Sequence, residues 1–77
     1  MSEEKLPILK PIEVITVLER LGFLMTRKSR GSHFRYCHPD GRKTTVSVHK
    51  GKDISRGLSR KILRDINISP VKFKELL

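Results

Sequence analysis

Apolar side chains recur at two different periods along this chain. Val14, Ile15, Leu18 and Leu21 follow the three-to-four spacing of one buried helical face and predict a helix over 11–21. Pro11 suits its first position, where a missing N–H costs nothing; Glu13 complements the dipole, and Gly22 is the stop. Residues 23–28, Phe-Leu-Met-Thr-Arg-Lys, read as a strand, and Ser29-Arg30-Gly31 as a turn. Over 32–37 the period is two: Phe34 and Tyr36 point to one face, His33, Arg35 and Cys37 to the other. His38-Pro39-Asp40-Gly41 combines residues that preset turn geometry, and Thr44, Val46 and Val48 share one face of a third strand over 43–48. The helical period returns over 56–66, where Leu58, Ile62, Leu63 and Ile66 form the buried stripe; Asn67 can adopt the left-handed cap that ends it. Ser69-Pro70, an N-cap followed by proline, opens a short last helix whose Phe73, Leu76 and Leu77 are expected to dock on the core.

These elements predict an α+β fold in the order α-β-β-β-α with a short C-terminal helix. A three-stranded antiparallel meander is covered on one face by helices, and the face carrying His33 and Arg35 is left to meet solvent or a partner. That is the topology of double-stranded-RNA-binding domains. The 77 residues are expected to form a single domain, with 1–10 as an N-terminal arm in which Pro7 and Pro11 bracket Ile8-Leu9-Lys10. A chain this short buries roughly 60% of the surface its unfolded form exposes, so the core is thin and no cofactor is expected.

Charge sharpens the picture. Lys and Arg number 17 against 8 Asp and Glu, a net of +9. Between Arg27 and Arg64 stand 12 basic residues and only two acidic ones, Asp40 and Asp53. A basic excess within the folded middle points to phosphate backbones as partners. Cys37 is the one cysteine, which excludes an internal disulfide and a cysteine zinc site and fits a reducing cytoplasm. The start, Met1-Ser2-Glu3-Glu4-Lys5, does not read as a signal peptide, and no apolar run reaches membrane-spanning length, so no membrane partner is expected.

No phosphate-binding glycine loop, nucleophile elbow or His-Glu-x-x-His pair is present, and the basic middle lacks the paired carboxylates of a metal-dependent nuclease, so no metal is expected. Histidine amid cations remains. RNA can be cut without metal, because its own 2′-hydroxyl can attack the adjacent phosphate. The reaction needs a base, an acid and positive charge near phosphorus. Imidazole, with an unperturbed pKa near ~6.5, suits both proton transfers. His33 is the sharpest candidate: Gly31 lets a backbone approach a phosphate, Ser32 can donate to it, and Arg30 and Arg35 flank it. An exposed strand histidine without a task is the competing reading. His49 opens a basic loop and is open between RNA binding, proton transfer and no role. His38 reads as structural, and Cys37 and Tyr36 as packing. Lys28, Lys50, Lys52, Arg56, Arg60, Lys61 and Arg64 read as a phosphate track or, each alone, as solubilising charge.

The ordered set of motifs resembles the HicA family of toxins. It comprises Leu6-Pro7, Leu21-Gly22-Phe23, Gly31-Ser32-His33, His38-Pro39-Asp40-Gly41-Arg42, His49-Lys50-Gly51-Lys52-Asp53 and Gly57-Leu58-Ser59-Arg60-Lys61-Ile62-Leu63. The resemblance runs over nearly the whole chain, with departures at Ser47, at Lys10-Pro11 and at Asn67. It implies a double-stranded-RNA-binding-like fold and a messenger-RNA endoribonuclease using His33. It also implies neutralisation by a HicB-type antitoxin that covers the active face, in a pair that can assemble further. Two other readings stay open beside it: a non-catalytic RNA-binding module of the same fold, and a domain whose basic face meets only an acidic protein.

Overall fold

The computed structural model describes residues 6–28 and 32–77. In chain order the elements are α1 (Pro11–Arg20), β1 (Leu24–Lys28), β2 (His33–Cys37), β3 (Lys43–Ser47), α2 (Arg56–Ile66) and α3 (Pro70–Leu76). The α+β layout expected from the hydrophobic pattern is the one observed, with each element shortened by at most one residue at an end.

Local chemistry sets the boundaries. Pro11 occupies the first turn of α1, and the Glu13 carboxylate accepts the Lys10 amide at 2.8 Å, which satisfies one of the donors a helix start leaves open. At the other end Gly22, with φ +99°, reverses the chain. Its amide donates to the Glu19 carbonyl and that of Phe23 to the Leu18 carbonyl, the paired bonds of a Schellman motif, with buried Leu18 and Phe23 as its apolar contact. The Ser55 and Ser69 hydroxyls accept the Leu58 and Lys72 amides, each at 3.1 Å, and so cap α2 and α3. Asn67 sits in the left-handed region (φ 58°, ψ 47°) and ends α2, as its side chain permits.

The strands form one antiparallel sheet in the order β1-β2-β3. Phe34 pairs with Val46 and Tyr36 with Thr44, so those four side chains share the face beneath the helices. Tyr36, Val46 and Thr44 are buried there, and Phe34 packs against the same cluster. Between Met25 and Arg27 the register of β1 shifts by a bulge. The molecule is only 17 Å through its shortest axis, room for one sheet layer and one helix layer and no third.

The arm belongs to the core. Leu6 and Leu9 are almost fully buried. Leu9 makes an isolated bridge to Ile54, whose amide donates to the Leu9 carbonyl at 2.7 Å, and the Arg56 guanidinium donates to the Leu6 carbonyl at 3.0 Å. Two expectations about packing need correction. Leu77 does not dock but stands 46% exposed, because α3 ends one residue before it. In α1, Val17 is fully buried while Ile15 and Leu21 are only partly so: the centre of the buried face falls between Val14, Val17 and Leu18.

Candidate functional site

The two-residue period of β2 decides what the open face of the sheet carries. Phe34 and Tyr36 turn toward the helices, so His33 and Arg35 stand exposed on the other side. Arg35 lies opposite Arg27 of β1 and opposite Thr45 of β3, whose hydroxyl its guanidinium approaches at 3.5 Å. Arg27, His33, Arg35 and Thr45 together line a shallow hollow of about 240 Å³. Two arginines facing each other across a strand pair repel, an arrangement that costs stability unless an anion comes between them. Among the described residues the ion pairs join Arg42 to Asp40 and Lys61 to Asp65, so no described carboxylate neutralises either arginine of the hollow.

At one end of this face β2 and β3 carry their ladder a step further. The Val48 amide donates to the Ser32 carbonyl at 2.7 Å, and the Ser32 hydroxyl lies 3.3 Å from Nδ1 of His49. His49 therefore adjoins the residue that precedes His33. From there Lys50, Lys52 and Lys10 line a second hollow of about 460 Å³ together with His49 and Asp53. Arg30 and Gly31 lie outside the described residues.

Other members of the expected phosphate track are elsewhere. The ammonium group of Lys28 lies 5.4 Å from the centre of the Phe34 ring, and Lys28 is paired with Phe34, away from the His33 side of the sheet. Arg60 and Arg64 flank a cleft of about 740 Å³ between α2 and α3, floored by Leu63 and Ile68, in the helical layer and not at the His33 hollow. Arg56 holds the arm, and Lys61 pairs with Asp65 at 3.0 Å. Arg27, Thr45 and Lys10 were not singled out from the sequence. Strand pairing signals the first two, once the hairpin register is known.

His38 is engaged on both ring nitrogens. Nε2 lies 3.1 Å from the Leu21 carbonyl, and the Asp40 amide donates to Nδ1 at 3.1 Å. The ring also packs edge-on to Phe23, so its role is to tie the β2–β3 turn to the end of α1. Asp40 accepts from the backbone amide of Arg42 and from its guanidinium, which together hold the carboxyl below its ordinary range against the opposing effect of desolvation. Arg42 further donates to the Ile66 carbonyl and lies over Phe23. Burial, and then the charge of Glu19, push the Tyr36 phenol up, as befits a core side chain and not a base-stacking one. Cys37 is half-buried, its sulfur 3.4 Å from the Thr26 hydroxyl. Among the described residues no three His, Cys, Asp or Glu side chains come together as a metal site would need, and no helix is long and apolar enough to cross a membrane.

Compared with known families, residues 12–68 match the family model of the HicA toxin of bacterial toxin–antitoxin systems. That is well over half of the chain. The chain belongs to the HicA toxin family. No curated protein matches it. The HicA match takes in α1 from its second residue, the whole sheet and α2, and so includes both arginines of the hollow, Ser32, His33 and His49. The arm and α3 fall outside the HicA span, although Leu6, Leu9 and Phe73 complete the same core.

Proposed function

We propose that this HicA-family chain is the toxin of a type II toxin–antitoxin pair, a metal-independent endoribonuclease that cleaves messenger RNA in the cytoplasm with His33 as its catalytic residue. A HicB-type antitoxin neutralises it by covering the open face. The observation that carries this reading is the exposed His33 in a hollow with two arginines, Arg27 and Arg35, that no carboxylate among the described residues neutralises.

The two guanidiniums bind the scissile phosphate and stabilise the charge that builds on its oxygens as the pentacoordinate state forms. Imidazole beside them moves a proton to or from the reacting oxygens. Ser32 offers a hydroxyl at the same edge, and Lys50 and Lys52 hold the neighbouring phosphates; Arg30 and Gly31, which precede Ser32 in the sequence, join this set. Nothing in the reaction calls for a metal, because the 2′-hydroxyl is the nucleophile.

The test is cleavage of a long single-stranded RNA by the purified protein with EDTA present, beside a His33→Ala variant. The wild type is expected to give fragments. The variant is expected to lose about 10²–10⁴-fold in rate while still binding RNA. Intact RNA with both proteins, together with a mobility shift, would leave a non-catalytic RNA-binding module. Fragments that vanish with EDTA would refute metal independence.

A further inference from the structure

Cleavage by the 2′-hydroxyl moves two protons, one from O2′ and one to O5′, and a single imidazole in one protonation state serves only one of them at a time. Three histidines are available. His38 is excluded, since the Leu21 carbonyl and the Asp40 amide occupy both of its ring nitrogens. Tyr36 is buried in the core. His49 is exposed, and it touches Ser32, the residue next to His33 in the chain. The backbone bond from Val48 to Ser32 fixes that proximity, because it extends the β2–β3 ladder up to the residue before His49.

We infer that His49 is the second proton-transfer residue, the general acid that protonates the departing 5′-oxygen; this rests on the ribonuclease reading above. The contact with Ser32 engages Nδ1 and leaves Nε2, on the far side of the ring, for the substrate. A serine hydroxyl both donates and accepts. Accepting from Nδ1–H of the imidazolium, it holds Nε2–H toward the substrate; once that proton has left, the neutral ring keeps its hydrogen on Nδ1 and the same bond to Ser32. His33 removes the 2′ proton as O2′ bonds to phosphorus. The P–O5′ bond breaks, its electron pair leaves with O5′, and that oxygen takes the Nε2 proton of His49. The products are a 2′,3′-cyclic phosphate and a 5′-hydroxyl, and the two imidazoles reset by exchanging one proton with water. Lys10, Lys50 and Lys52, which line the hollow beside His49, hold the phosphate next to the scissile one.

The test uses two RNA substrates, one natural and one with sulfur in place of the bridging 5′-oxygen at a single cleavage site. A thiolate leaves without being protonated, so it removes the need for an acid. His49→Ala is expected to cut the natural substrate about 10²–10⁴-fold more slowly than wild type and the sulfur substrate within about tenfold of it. His49→Asn, which keeps a partner for Ser32 but cannot deliver a proton, is expected to behave the same way. His33→Ala is expected to be slow on both substrates. A His49→Ala variant as slow on sulfur as on oxygen, or as fast as wild type on oxygen, would overturn the inference. A wild type that cuts neither substrate would instead overturn the ribonuclease reading itself.

Discussion

Asp65 sits on the last turn of α2, where a negative charge is unfavourable to the helix dipole, and its neighbours decide its titration. Burial pushes its carboxyl up. The hydrogen bonds from Lys61 and from Thr44 at 2.9 Å, with the charges of Lys61 and Arg64, more than offset that, and the group titrates below its ordinary range. A folded-state pKa below the unfolded one means that the folded chain binds fewer protons. The stability this contributes is fully present above the ordinary carboxylate range and is lost as pH falls through the depressed value. Asp65→Asn is therefore expected to cost about 0.5–1.5 kcal/mol at pH 7, with the difference from wild type closing as pH falls through the depressed value. Urea denaturation at pH 7 and in acid checks it. A gap that persists in acid would assign the loss to the Thr44 contact and not to charge. Buried Thr44 makes this bond from β3, so the same carboxylate that steadies the end of α2 also pins that helix to the sheet.

Between elements, the junction of α1 with the sheet depends on Gly22. Its φ of +99° is strained for any residue with a side chain, and a Cβ there would lie 3.2 Å from Nε2 of His38, the atom that reaches the Leu21 carbonyl. Gly22→Ala thus adds left-handed strain of about 1–2 kcal/mol and makes the His38 ring give by a few tenths of an ångström. A total loss of about 2–3 kcal/mol in thermal or urea unfolding is expected, and a loss under 0.5 kcal/mol would mean that the turn relaxes freely. This junction was legible in the sequence because glycine after a helical stripe has one common structural meaning. Ser69-Pro70 and Asn67 were legible for the same reason. The alternation in β2 likewise put His33 and Arg35 opposite Phe34 and Tyr36. What the sequence could not convey was anything set by pairing across elements. Arg27 faces Arg35 only because β1 bulges at Met25/Arg27. His49 meets Ser32 only because the β2–β3 ladder runs on to Val48. Charge count alone grouped Arg60 and Arg64 with the loop lysines, although α2 carries them in the helical layer.

Over the whole molecule that separation of charge is the consequence that matters. Two layers leave two broad faces, and the basic charge of the described residues is divided between them. The open face carries Arg27 and Arg35 around His33, with the lysine loop at its edge. The helical face carries Arg60 and Arg64 around an apolar cleft. Long-range attraction to a polyanion draws on every charge, but counterion release is local: only cations seated on phosphates change the salt dependence of binding. The proposed function seats RNA on the open face. Each of Arg27→Ala and Arg35→Ala is then expected to lower the slope of log affinity against log salt by about 0.7, the value for one phosphate of a single strand. Arg60→Ala and Arg64→Ala are expected to leave that slope near wild type and to weaken binding only slightly at low salt. Titrating a fluorescent single-stranded RNA across a salt series, with His33→Ala as background so that the probe stays intact, reads all four. Equal slope losses on both faces would mean that the strand wraps the edge of the sheet and reaches α2. A loss confined to Arg60 and Arg64 would move the RNA to the helical cleft and remove the ground for assigning His33 the chemistry.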